Sequence, residues 1–215
     1  EKALADYPPL PIRKATYRDY LRVHKPTYLD KLKRMAAGEE IAATPRLSVE
    51  CTGFEYCLPG YLYGLGGMLE AIDQMRSGAL DRAYCFSLGG HHAYADWGHG
   101  YCLLNPQAAA VRYAQKKGFE RVLVVDWDIH HGDGTQSIFA HDASVYCISI
   151  HSGVDMYMAS LGVMRHSTTT AGEKVGHRNI PLWHTFFDRG AIEALGLPGE
   201  FYEAAESLRV FRSAL

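Results

Sequence analysis

Apolar residues recur at Tyr28, Leu32, Met35 and Ala36 in KPTYLDKLKRMAAG, a spacing that predicts an amphipathic helix. Pro26 lies near its first turn and Gly38 just beyond its end, where each is best tolerated. A second helical face runs through Leu58, Leu62, Leu65, Leu69 and Ile72; the glycines among them weaken helix propensity but permit close packing. The period then changes. RAYCFSL (82–88) predicts a short buried strand, followed at once by GGHH. NPQAAAVRYAQKKG returns to helix, with Asn105 to cap, Pro106 at the first position and Lys116, Lys117 and Gly118 at the end. RVLVVD (121–126) is a continuous apolar strand, GTQSIFAHD a short helix and SVYCISI (144–150) a further strand. The last segment, from His184 to Leu215, predicts one or two helices.

Strands alternating with helices imply crossover connections and an α/β fold: a mostly parallel sheet in three layers, flanked by helices. In such sheets, ligands gather at the carboxyl ends of the strands. His91 and His92 follow one strand directly, and the segment Asp126–Asp133 follows another. Both clusters are therefore expected at one rim.

Composition narrows the partners. A hydrophobic content of 47% over 215 residues is enough for a substantial core, and a formal charge of −2 gives no general drive toward nucleic acid or an anionic membrane. No apolar stretch approaches the roughly 20 residues of a membrane span. Five cysteines, at 51, 57, 85, 102 and 147, form no C-x-x-C pair, so reduced thiols packed in a cytosol-like compartment are expected. The sequence opens on Glu1 without a signal segment, which predicts a start inside a longer product.

The chemistry concentrates in DWDIHHGDG. In an extended segment alternate side chains share a side, so Asp128 and His130 can offer a carboxylate oxygen and an imidazole nitrogen to one cation. Asp/His ligation suits zinc or a related divalent ion, and a catalytic site needs a third protein ligand and an open position. Asp126 and Asp133 could each be a ligand or could orient a neighbouring imidazole. His91 and His92 could then supply a general base and an electrostatic or acid partner. The remaining histidines, His24, His99, His141, His166, His177 and His184, suggest surface or local hydrogen-bonding roles, and His151 a packed one. Tyr94 and Trp97 suit either a substrate rim or the core.

SLGGHHAYADWGHGYCLLN (87–105) followed by RVLVVDWDIHHGDGTQSIF (121–139) resembles the histone deacetylase family of zinc-dependent amidohydrolases in both motifs, their spacing and their order. YCISIH (146–151), GEKVGHRNIPL (172–182) and, upstream, YLRVHKPTYLDKL extend the resemblance. It implies the arginase/deacetylase fold. It also implies Asp128 and His130 as zinc ligands, His92 as general base and acid with Asp133 as partner, and His91 in an electrostatic role with Asp126 behind it. Tyr101 would form a wall of an acyl-lysine tunnel beside Gly100. Asp126 and Ser149 would contribute to a structural monovalent-cation site, with potassium as the ion. The related ureohydrolases use two manganese ions on D-x-H-x-D; here Gly132 stands in place of the second carboxylate, which favours one metal, zinc or ferrous iron.

The resemblance lapses toward the end of the chain. The family's later Asp ligand and its oxyanion-stabilising Tyr or His find no matching motif, and Asp155 and Asp188 lack that context. A single deacetylase-like domain over residues 1–215, truncated at its C-terminal end relative to the family, is expected. Two functions follow. One is a deacylase acting on acetyl-lysine in proteins or on a small acylated amine, cytoplasmic, or nuclear in a eukaryote, without membrane or direct nucleic-acid contact and with oligomers allowed. The other is a catalytically incompetent fragment or pseudoenzyme serving as an interaction module.

Overall fold

A computed structural model describes residues 8–11, 13–40, 45–53, 55–152, 177–182, 194 and 202–215. They fall into two compact units, one built from the chain up to Gly90 with Ala95–Phe119, the other from His91–Tyr94 with the chain from Glu120 onward. No helix among these residues is long and apolar enough to cross a membrane.

The first unit begins with the short helix α1 (Tyr17–Tyr20) and helix α2 (Pro26–Ala36), where Pro26 opens the first turn and Tyr28, Leu29 and Leu32 turn inward. Strand β1 (Arg46–Leu47) pairs in parallel with β2 (Trp97–Gly98). Helix α3 (Leu58–Arg76) buries Leu58, Tyr61, Leu62, Leu65 and Leu69 on one face. Two of its glycines are fixed by close approach: a Cβ at Gly66 would collide with the Arg13 carbonyl, and one at Gly64 with Ser87. Helix α4 (Pro106–Lys116) packs on α3 and is capped as its sequence predicts, with the buried Asn105 side chain accepting from the Ala108 amide at 2.9 Å.

Segment 82–88 corrects one expectation. It pairs with no strand among the described residues, and only Cys85 and Ser87 are half-buried, while Tyr84 and Phe86 are exposed. The apolar run reads as buried on both faces, whereas its packed face is the narrow one under α3 and no ladder hydrogen bonds hold the other residues.

The second unit holds a parallel sheet in the order β3 (Val122–Asp126), β4 (Val145–Ser152), β5 (Arg178–Leu182). Register runs from Val122 opposite Val145 to Asp126 opposite Ser149, so the acidic end of β3 meets a hydroxyl on β4. The crossover from β3 to β4 carries helix α5 (Asp133–Phe139). Helix α6 (Ala204–Ala214) covers β5, and Val210 joins Ile148 and Ile180 in a fully apolar cluster. Strand β5 went unforeseen; its RNIPL mixes an arginine, an asparagine and a proline into the pairing stretch.

Candidate metal and acid–base site

The site is built in the second unit, where β3 ends. Beyond Asp126 the chain bends in place of running extended. Asp126 Oδ1 accepts from the Asp128 amide at 3.0 Å, and Asp128 Oδ1 accepts from the His130 amide at 2.9 Å. These are two successive Asx-type turns, the local structure that short carboxylates favour. They bring Asp128 and His130 side by side as expected, by turning where the sequence suggested alternation along a strand. Asp128 Oδ1 and His130 Nδ1 lie 3.1 Å apart.

Neighbouring ligand atoms on a tetrahedral zinc with bonds of 2.0–2.1 Å are separated by about 3.3 Å. The Asp128 and His130 donor atoms fit that spacing, and both side chains remain partly open to solvent, as an accessible metal position requires. The His130 hydrogen bond holds the Asp128 carboxyl far below the usual carboxylate range against the opposing effect of burial. Asp128 is therefore held as the carboxylate anion.

Behind these two stand two imidazole–carboxylate pairs. His91 Nδ1 lies 2.8 Å from Asp126 Oδ2, and His92 Nδ1 lies 2.7 Å from Asp133 Oδ1. The His91 and His92 ring centres are 4.0 Å apart, and His92 meets the His130 ring edge-on at 5.8 Å. Burial disfavours the His91 imidazolium, but the hydrogen bond and charge of Asp126, reinforced by Asp128 and Asp133, outweigh it and raise the His91 pKa. Burial likewise opposes ionisation of Asp126, and the His91 bond overcomes it, leaving Asp126 below its ordinary value.

The local packing explains the glycines of HHGDG. A Cβ on Gly132 would run into the Asp126 carboxylate. One on Gly134 would sit 2.5 Å from the His92 carbonyl carbon and 2.6 Å from the Ala93 oxygen. The Thr135 amide donates to the His91 carbonyl at 3.0 Å, so the histidine segment is tied directly to the start of α5.

His131 is the residue that sequence reasoning overlooked. It is buried, its Nε2 lies 2.6 Å from Gln136 Oε1, and its ring centre lies 4.6 Å from that of His151, the two planes tilted by 33°. His151 Nδ1 lies 2.9 Å from Ser149 Oγ, which accepts from the Gly132 amide at 3.4 Å. Strand alternation could not have marked it, because the chain turns at Asp126 and Asp128 and does not run extended there. His177 and His24 take local roles: His177 Nδ1 accepts from the Cys147 amide, and His24 Nε2 from the Asn105 amide.

Gly100 and Tyr101 belong to the first unit. Both have left-handed backbone, with φ of 57° and 61°. For Tyr101 that conformation is uncommon and costs on the order of 1 kcal/mol. Glu50 holds the turn by accepting from the Gly100 amide at 2.7 Å, and Tyr61 Oη donates to the Tyr101 carbonyl at 3.3 Å. The Tyr101 side chain stays exposed. Asp155, Asp188, His166 and His184 lie outside the described residues.

Residues 2–199 match the family described as the histone deacetylase domain. The chain belongs to the histone deacetylase family. A probable deacetylase from Archaeoglobus fulgidus is 42% identical over 123 residues, covering 56% of this chain and 33% of that protein. A histone deacetylase-like amidohydrolase from Pseudomonas aeruginosa is 35% identical over 141 residues, covering 64% of this chain and 36% of its own length. The chain thus spans about a third of each of these relatives. Among solved structures, the HDA15 HD domain superposes with a TM-score of 0.67 at 26% identity, over 84% of this chain and 52% of that one. With parallel strands flanked by helices, this likeness establishes the arginase/deacetylase α/β fold of the histone deacetylase family.

Proposed function

We propose that this histone deacetylase-family chain carries the acid–base half of a metal-dependent deacylase, hydrolysing an acyl group from an amine such as acetyl-lysine. The observation that carries the reading is the convergence of two imidazole–carboxylate pairs, His91–Asp126 and His92–Asp133, beside two metal-type donor atoms 3.1 Å apart.

Asp128 and His130 would hold zinc, or ferrous iron, which when bound supplies Lewis-acid polarisation of the scissile carbonyl and the attacking water. Asp133 engages His92 at Nδ1, and the acid–base work is assigned to Nε2. His92 Nε2 would take the proton from water as it attacks and return it to the leaving amine nitrogen. His91, backed by Asp126, would place positive charge beside the developing oxyanion. Gly100 and Tyr101 are assigned to acyl-chain contact by the family resemblance alone; their shared left-handed turn is the kind of backbone strain that accompanies function. A potassium ion near Asp126 and Ser149, register partners on β3 and β4, belongs to the same reading. So do a cytoplasmic location and an acetylated protein or a small acylated amine as substrate.

The test is metal content by elemental analysis together with acetate release from an acetyl-lysine peptide. One zinc per chain, lost in Asp128→Ala and His130→Ala, with hydroxamate-sensitive acetate release, is expected. Absence of both metal and turnover would overturn the proposal and favour a noncatalytic interaction module.

A further inference from the structure

We propose that Tyr94 is a positioning residue for His92, acting through the second oxygen of Asp133. The inference rests on the acid–base role assigned to His92 above. Tyr94 Oη donates to Asp133 Oδ2 at 3.0 Å, while Asp133 Oδ1 faces His92 Nδ1 at 2.7 Å. One carboxylate therefore bridges two side chains only two residues apart on the same segment. Asp133 and His92 have side-chain exposures of just 1% and 3%, so their bond is withdrawn from water, while the Tyr94 end of the bridge is half-buried.

The mechanical consequence lies in the carboxylate. Its terminal torsion is broad, and a single hydrogen bond to one oxygen leaves the group able to swing. Held at both oxygens, Asp133 keeps its Oδ1 lone pair aimed at Nδ1. That keeps the imidazole proton on Nδ1 and leaves Nε2 as the basic nitrogen. The backbone beneath is equally fixed. Ala93, between the two side chains, is fully buried, and Gly134 lies so close to its carbonyl that no Cβ would fit. Tyr94 thus reaches Asp133 from a segment already clamped to the start of α5, so its phenol acts as a rigid stop.

The discriminating variants are Tyr94→Phe, which removes the hydroxyl and keeps the ring, and Tyr94→Leu, which removes both. Imidazole 15N and ring N–H spectra of the metal-free protein report the His92 tautomer without any need for turnover. If the phenol positions the pair, the His92 Nδ1–H should exchange with solvent at least about 10-fold faster in Tyr94→Phe, with Tyr94→Leu no worse than that. In the turnover assay, Tyr94→Phe should lower kcat about 10-fold with KM and bound metal unchanged. A purely structural tyrosine would instead leave Tyr94→Phe like the parent and impair only Tyr94→Leu, which would overturn the proposal. An unchanged Nδ1–H exchange rate in Tyr94→Phe would overturn it as well. A protein that shows the exchange effect but has neither metal nor turnover would sustain the positioning role of Tyr94 and overturn the deacylase reading alone.

Discussion

His92 Nδ1 and Asp133 Oδ1 lie 2.7 Å apart in a pair almost wholly withdrawn from solvent. Removing one member of a buried pair leaves the other desolvated without compensation, which costs more than the pair itself contributes. Asp133→Ala should therefore destabilise the protein by about 3 kcal/mol or more, read from urea denaturation. Asp133→Asn, which keeps the shape, should fold but present an amide to Nδ1. It should lower deacylation by about 10²–10⁴-fold, the usual range for a general acid–base group. Turnover within a few-fold of the parent would remove His92 from that role.

Two glycines should respond in opposite directions to the same methyl group. At Gly134 an added Cβ would meet the His92 and Ala93 backbone at 2.5–2.7 Å, and backbone cannot give way as a side-chain tip can. Gly134→Ala should cost about 2 kcal/mol or more and loosen the His91–Tyr94 segment. At Gly67, within α3, the Cβ would meet nothing within 4 Å. Gly67→Ala should stabilise by about 0.5–1 kcal/mol through helix propensity. Chemical denaturation of both variants beside the parent checks the pair; equal effects would contradict the packing described at Gly134.

The helices and the ends of β3 and β4 were legible because local chemistry specifies them. Asn105 and Pro106 mark the start of α4 whatever surrounds it, and the apolar run 121–126 ends where three aspartates begin. That the His91–His92 and Asp126–Asp133 segments would meet was expected of a shared rim, but the particular pairings His91–Asp126 and His92–Asp133 came only from the resemblance to the histone deacetylase family. What escaped depends on contacts distant in sequence. Segment 82–88 has the composition of a strand but no ladder partner among the described residues, and partners are not written in a segment's own residues. Tyr94 looked like any rim or core aromatic, because its partner, Asp133, lies 39 positions away.

The cysteines should separate by environment. Burial pushes the Cys51 thiol up to about 11; burial and the nearby Asp126 charge push Cys147 up to about 12. Burial also raises Cys85, which remains half-buried like Cys57. The thiolate is the reactive form, so at pH 8 Cys51 and Cys147 should alkylate at least about 10²-fold more slowly than an ordinary thiol of pKa near 8.5. Iodoacetamide labelling followed by peptide mass spectrometry should find Cys57 modified first, Cys85 next, and Cys51 and Cys147 only after denaturation. Early labelling of Cys147 would mean that β4 opens readily.

Acid should remove a further contribution in the first unit. Asp73 accepts from Tyr113 Oη at 2.8 Å and pairs with Arg13 at 2.7 Å and Lys117 at 2.6 Å. Burial works against its ionisation, but these partners, Lys117 foremost, hold its carboxyl below the ordinary value. A depressed folded-state pKa means that the unfolded chain takes up the proton first as pH falls. The stabilisation is therefore complete above the unfolded value, near pH 4, and is lost as pH drops through the lower folded value. The partners are about a third exposed, so solvent screening limits the contribution to about 1 kcal/mol. Asp73→Asn should trail the parent by that amount in urea denaturation at pH 7, and the two curves should converge by about pH 2. A gap that persists unchanged in acid would show that Asp73 contributes through its hydrogen bond to Tyr113 and not through its charge.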